Sequence, residues 1–129
     1  MAYPSNFKYT KEDEWVKVDG NVGTIGITDY AQNALGDIVF VELPKPGDKV
    51  TAGQSFGSVE SVKAVSDLFS PVTGTVKEVN GELATAPEKI NSDAHGSWMI
   101  KVELSDSSHL NSLLSSSDYE AYVKERGDH

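Results

Sequence analysis

Cysteine is absent from this chain of 129 residues. Its absence excludes disulfides, zinc–thiolate sites and any thiol redox chemistry of the protein's own. If the protein takes part in redox reactions, the sulfur or flavin comes from elsewhere. Positive charge is scarce as well: 11 basic residues face 20 acidic ones, for a net charge of −9. That balance repels phosphate backbones and makes nucleic acid a poor partner, while it favours solubility and attraction to basic protein faces. No apolar run approaches the roughly 20 residues of a membrane span, so no membrane role is expected. Met1-Ala2-Tyr3-Pro4-Ser5-Asn6 has neither the regions of a signal peptide nor the Arg-rich pattern of a transit peptide. Hydrophobic residues make up 38%, which predicts a thin core and much surface in one domain, 1–129.

The chain reads mainly as short strands. Glu14–Val18 and Val22–Ile27 flank Asp19-Gly20-Asn21, an Asp-Gly hairpin signal expected to form a type I′ turn. Thr28 caps a short helix through Leu35, which Gly36 ends. Asp37–Leu43 reads as a buried strand, followed by the turn Pro44-Lys45-Pro46-Gly47. Strand residues then run from Gln54 to Glu60, from Val65 to Phe69, from Gly74 to Val79 and from Trp98 to Leu104, with 87–96 read as a loop. Gly36–Val41 and Gly74–Val79 resemble one another, suggesting a small sandwich with approximate two-fold symmetry. Residues 105–129 read as a C-terminal helical extension. There Leu110, Leu113 and Leu114 have helical spacing, and Ser117-Asp118-Tyr119-Glu120 opens a helix with Tyr122 and Val123 on one face.

Between two of these runs lies Glu60-Ser61-Val62-Lys63-Ala64-Val65-Ser66-Asp67, closed downstream by Ser70-Pro71-Val72-Thr73-Gly74. It reads as a hairpin with Val62 and Lys63 at a type I tip, since neither is the Gly or Asn of a primed turn. A Schiff-base lysine needs desolvation or a cationic neighbour, and Glu60 and Asp67 supply the opposite. A solvated amine on a rigid tip suits an external enzyme that brings an activated acyl group. The geometry favours a carrier over a catalyst. Other constellations are weaker. His95, His109 and His129 lack ligand-like spacing, so no metal is expected. The acidic run Glu12-Asp13-Glu14 reads as a solvated face before it reads as an acid–base pair. Trp15 and Trp98 read as core.

The lysine segment closely resembles the lipoylation motif of the glycine cleavage H-protein family, and the resemblance covers nearly the whole chain. Phe7-Lys8-Tyr9-Thr10 with Glu14-Trp15-Val16, Ile25-Gly26-Ile27-Thr28, Ala34–Pro44, Asn91-Ser92-Asp93 and Gly96–Lys101 look like the family's other blocks, in order. Two positions depart from it: Asp13 stands where the family usually has His, and Ala94-His95 where it usually has Pro-Tyr. Both are expected to alter only surface beside the arm.

The resemblance implies a barrel-sandwich hybrid of two antiparallel sheets, with a short N-proximal helix and C-terminal helices. It implies lipoate amide-linked to Lys63, with Glu60, Ser61, Val62 and Ala64 presented to a lipoate ligase or lipoyl/octanoyl transferase. The arm would carry an aminomethyl group from glycine decarboxylase (the P protein) to aminomethyltransferase (the T protein), and dihydrolipoamide dehydrogenase (the L protein) would reoxidise it. The protein itself would be a non-catalytic monomer of a bacterial-type cytoplasm, or of the mitochondrial matrix if a processed organelle form. A loaded arm ends in an ammonium, and Glu14 and Asp67 are the expected carboxylates of a resting cleft. Three rivals share parts of this pattern: a biotinyl carrier, whose lysine is flanked by methionines rather than Val62 and Ala64; a lipoyl domain of a 2-oxo-acid dehydrogenase, which lacks the C-terminal helices; and an unmodified binding module or H-like protein relaying lipoate to other enzymes.

Overall fold

The computed structural model describes residues 3–106 and 108–126, and for 106, 108 and 109 the backbone alone. In chain order its strands are β1 (Lys8–Tyr9), β2 (Glu14–Asp19), β3 (Val22–Ile27), β4 (Ile38–Glu42), β5 (Lys49–Val50), β6 (Ser55–Ser61), β7 (Val65–Phe69), β8 (Thr73–Val79) and β9 (Ile100–Asp106). The helices are α1 (Asp29–Leu35), α2 (Glu82–Thr85), α3 (Lys89–Ser92) and α4 (Ser116–Glu125), with a 3₁₀ turn over Ser108–Ser112. One sheet has six strands in the order β1-β2-β3-β9-β8-β5, the other three in the order β4-β6-β7. All neighbours pair antiparallel. This is the mainly β, two-sheet architecture expected of a barrel-sandwich hybrid. The six-stranded sheet ends on its shortest strands, β1 and β5, of two residues each.

Alternation along the strands builds the core. Val16 lies opposite Ile25, and both are fully buried. With Val59, Leu68, Val76, Ile100 and Val102 they fill the space between the sheets. On the other side of β2 the apolar residues are aromatic. Trp15 stacks on Phe7 at 4.4 Å, and Tyr9 stacks on Tyr119 of α4 at 4.9 Å. Trp15 lies across Gly26, where a Cβ would meet its ring at 2.6 Å, so only glycine lets the indole close over β3.

Thr28 and Gly36 cap α1 as read. The Thr28 hydroxyl accepts from Ala31 N–H, and Gly36, at φ 81°, donates its N–H to the Gln32 carbonyl. Several expectations need correction. In the β2–β3 turn Gly20 alone has positive φ, at 61°, the pattern of a II′ rather than a I′ turn. The 38–42 strand is not buried, because it edges the small sheet and leaves Val39 and Phe40 about half exposed. Residues 87–96 are not simply loop, since Lys89–Ser92 forms a helical turn that buries Ile90. The last helix is capped by Ser115, whose hydroxyl accepts from Asp118 N–H, two residues before the expected cap. It buries Tyr119 and Val123, while Tyr122 lies at its edge. Leu114 is not helical at all; it bridges Tyr9 with reciprocal 2.8 Å hydrogen bonds. The two resembling segments lie in opposite sheets, as β4 and β8. His129 and the His109 side chain lie outside the described residues. Among the described residues no helix is long and apolar enough to cross a membrane.

Candidate functional site

β6 and β7 pair from Ser55–Phe69 up to Glu60–Val65, which leaves Val62 and Lys63 at the apex. The expected type I closure is made by a side chain instead. The Ser61 hydroxyl accepts from the N–H groups of Lys63 at 3.2 Å and Ala64 at 3.1 Å, a local motif that serine supports well. Ser61 N–H donates to the Ala64 carbonyl, and Val62 N–H to the Asp37 carbonyl just after α1, at 3.0 Å. The tip is therefore tied both to itself and to the body. Ser61 is buried; Glu60, Val62, Lys63 and Ala64 are exposed. A Cβ built at Gly36 would come within 3.2 Å of the Lys63 Cε, so the glycine leaves a path along which the aliphatic chain lies. An exposed amine, a fixed base and a clear flank fit an amide-linked arm on Lys63.

Farther along β7, Asp67 and Glu14 line one cavity of about 160 Å³. Its remaining walls include Ala31, Ala34 and Leu35 of α1 and Leu68 of β7. Glu14 is not the solvated strand end its acidic neighbours suggest: it is 2% exposed. Its Oε1 accepts from the Thr10 hydroxyl at 2.7 Å and its Oε2 from Phe69 N–H at 3.1 Å. The Thr10 oxygen itself accepts from Glu12 and Glu14 N–H groups, so its own proton points to Glu14. Both carboxyl oxygens thus act as acceptors, the arrangement of an anion. Burial opposes this and pushes the carboxyl up to about 8, against the lowering pull of those two hydrogen bonds. No ion pair among the described residues involves Glu14. A buried carboxyl with its donors satisfied and no counter-cation among the described residues is able to take an ammonium group, whose charge would favour its ionised form.

The structure thus brings Glu14 and Asp67 to one cavity and keeps Lys63 with Glu60, Ser61, Val62 and Ala64 at the apex above it. The sequence reading missed Thr10, whose four-residue spacing to Glu14 was its only signal, and the Phe69 amide, which a sequence does not show. It also misjudged Asp13. That residue is not a surface detail, because its carboxylate meets Arg126 at 2.6 Å and the Tyr119 hydroxyl at 2.8 Å. Ala94 is buried and its carbonyl accepts from the Trp15 indole N–H, while His95 Nε2 accepts from Asp29 N–H. Burial lowers the pKa of His95.

Two antiparallel sheets holding a lysine at the apex of a tied hairpin, above a small acidic cleft, define a carrier domain of the hairpin-lysine class. The family model described as glycine cleavage H-protein matches residues 7–126. The glycine cleavage system H proteins of Acidobacterium capsulatum and Koribacter versatilis are 65% and 66% identical over 129 residues, with all of each chain covered. A solved glycine cleavage system H protein from Mycobacterium marinum superposes with a TM-score of 0.83 at 36% identity, covering 97% of this chain and 99% of that one. The chain belongs to the glycine cleavage H-protein family, the lipoyl carriers of the glycine cleavage system.

Proposed function

We propose that Lys63 carries lipoate in amide linkage, and that the protein takes an aminomethyl group from glycine decarboxylase to aminomethyltransferase. Dihydrolipoamide dehydrogenase reoxidises the arm, and the chain itself catalyses none of these steps. A lipoate ligase or lipoyl/octanoyl transferase reads the exposed side chains of Glu60, Val62 and Ala64, while Ser61 shapes the turn that presents them. The location that goes with this role is the cytoplasm of a bacterium, the kind of organism from which the relatives named above come.

One observation carries the reading: the exposed Lys63 stands on the same hairpin as a cavity lined by Glu14 and Asp67. Asp67 is four residues from Lys63 along the chain, about 13 Å at the rise of a strand. An extended lysine lengthened by a pentanoyl chain covers that span. At the cavity, Glu14 and Asp67 supply carboxyl oxygens for a terminal ammonium, whose charge favours the ionised form of Glu14, and the apolar wall of α1 limits the water that reaches it. When bound, the lipoyl group supplies the dithiol that this cysteine-free chain lacks. The face around the apex is acidic, so its partners are expected to dock with basic surfaces and to bind less well as salt rises.

Intact-mass measurement of protein made alongside its own ligases tests the reading. A single lipoyl adduct that disappears in Lys63→Arg is expected. A biotinyl adduct, or none, overturns it. Reconstituted glycine decarboxylation separates a cleavage-system carrier from a protein that only relays lipoate.

A further inference from the structure

Asp13 has a φ of 74°, alone among the described non-glycine residues in being positive. A side chain with a Cβ disfavours that conformation, though aspartate tolerates it better than most. The turn's own bonds, Asp13 N–H to the Thr10 carbonyl at 3.2 Å and Thr10 N–H to the Glu14 carbonyl at 3.0 Å, hold the backbone, and contacts from far along the chain hold the carboxylate. Arg126 grips the Asp13 carboxylate with both arms of its fork, Nη2 to Oδ1 at 2.6 Å and Nη1 to Oδ2 at 3.2 Å. Tyr119 donates its hydroxyl to Oδ1 at 2.8 Å and accepts from the Thr28 hydroxyl at 2.7 Å, because the Tyr119 proton is already given to Asp13. The Thr28 N–H closes the ring on the Asp13 carbonyl at 3.0 Å. The guanidinium itself lies between the rings of Tyr30 and Tyr122, 4.3 Å from each centroid. Exposed ion pairs contribute little, but this one is bidentate, flanked by rings and backed by a buried tyrosine.

We infer that Asp13, Arg126, Tyr119 and Thr28 form a clasp through which the C-terminal helix positions the arm cleft. The clasp holds Asp13 turned toward α4. The next residue, Glu14, is thereby turned the other way, toward Thr10 and Phe69. Thr28 is the N-cap of α1, whose Ala31, Ala34 and Leu35 form the opposite wall of the same cavity. One set of hydrogen bonds therefore fixes both the floor and the wall. Opening it releases Asp13 to an ordinary extended conformation, rotates Glu14 and admits water between α1 and β7. Arg126 and Tyr119 are positioning residues here; neither needs to touch the arm. The clasp stands on geometry alone, whereas its effect on a loaded arm rests on the cleft being that arm's resting place.

Two readouts use the unmodified protein. Hydrogen exchange at the Thr28 amide reports the Asp13–Thr28 bond, and carbon NMR reports the titration midpoint of Glu14. In Arg126→Ala the Thr28 amide is expected to exchange faster by about tenfold or more, with the central amides of β3 and β9 unchanged. The Glu14 midpoint should fall toward the ordinary carboxyl range as water enters. Loss of a nearby cation alone would raise that midpoint, with Glu12, Asp13 and Asp67 all lining the cavity, so the sign distinguishes positioning from simple charge.

A third readout uses lipoylated protein whose reduced arm has been condensed with formaldehyde and ammonia. One thiol, one aldehyde and one ammonia give the aminomethyl thioether and one water, and its decay is followed by mass. Faster decay in Arg126→Ala than in the parent is expected. Unchanged exchange and an unchanged or raised midpoint overturn the clasp. A parent adduct that decays as fast as the same adduct on free lipoamide overturns the resting cleft and leaves the clasp standing. If Arg126→Ala does not fold, Tyr119→Phe removes one oxygen while keeping the ring stacked on Tyr9. It should shift the first two readouts in the same directions, and no shift there also overturns the proposal.

Discussion

The apex that carries Lys63 and the cleft that holds Glu14 share one hairpin, yet opposite means build them. The apex is closed by neighbours: the Ser61 hydroxyl reaches amides two and three residues away. The cleft is closed by strangers. Phe69 meets Glu14 across 55 positions, and Tyr119 and Arg126 meet Asp13 across 106 and 113. One end is exposed; the other buries a carboxyl that draws its hydrogen bonds from Thr10 and Phe69. The apex adds to its local closure one tie to the body, from Val62 N–H to the Asp37 carbonyl, whereas the cleft is assembled from residues that only the tertiary structure brings together.

Lys63→Arg should break the apex outright and leave the cleft alone. All lipoylation is expected to vanish by intact mass, while stability from urea unfolding stays within about 0.5 kcal/mol of the parent. Glu14→Ala should do the reverse. It orphans the Thr10 hydroxyl and the Phe69 amide, which predicts a loss of about 1–3 kcal/mol in denaturant unfolding, with the Lys63 adduct still formed at full yield. A full adduct without any stability loss would mean that the buried carboxyl contributes nothing to the fold.

A pH series sharpens the same contrast. Burial raises the Glu14 carboxyl from 4.5 to about 8. The folded state therefore holds this proton more tightly than the unfolded chain does. Its contribution is complete below 4.5 and is lost as pH rises through about 8. Stability should decline across that window, and Glu14→Gln, which cannot ionise, should flatten the decline in melts taken at successive pH values. Ser61→Ala is a smaller perturbation, costing up to about 1 kcal/mol, because the amides that lose its hydroxyl belong to the exposed Lys63 and Ala64, where water can serve them. Its slower modification by the ligase would show that turn shape is read. Smallest of all, Phe40→Ser on the outer face of β4 should move stability by no more than about 0.5 kcal/mol.

What could be read from the sequence follows the same division. Thr28, Gly36, the β2–β3 hairpin and the lysine apex all rest on signals a few residues wide, and each stands where those signals place it. The blocks spread from Phe7 to Lys101 pointed to the family because they occur in order. Burial was harder. Glu14 sits in an acidic run that resembles a solvated face, and only the fold, by bringing Phe69 and Thr10 to it, makes it interior. Val39 and Phe40 look like core residues in a run of hydrophobics, but their strand lies at an edge, which composition does not reveal. Leu114 has helical spacing from Leu110, yet it is spent on a bridge to Tyr9, so the helix starts later. Asp13 stood out as a departure, but its meaning required Arg126 from the far end of the chain.

The short margins of the large sheet bear on how a shuttle stays a shuttle. β1 and β5, the outermost strands, are two residues long, and each begins with a lysine, Lys8 and Lys49. Open strand edges invite other chains to add on, and brevity with positive charge is a way of refusing them. The smaller sheet interrupts its own margin with a register shift between Ile38 and Phe40 in β4. A carrier works only while it can leave one partner for the next. The outermost strands of the large sheet offer a second chain only two residues each to extend, so a visit there can be held by side chains and ended by letting them go.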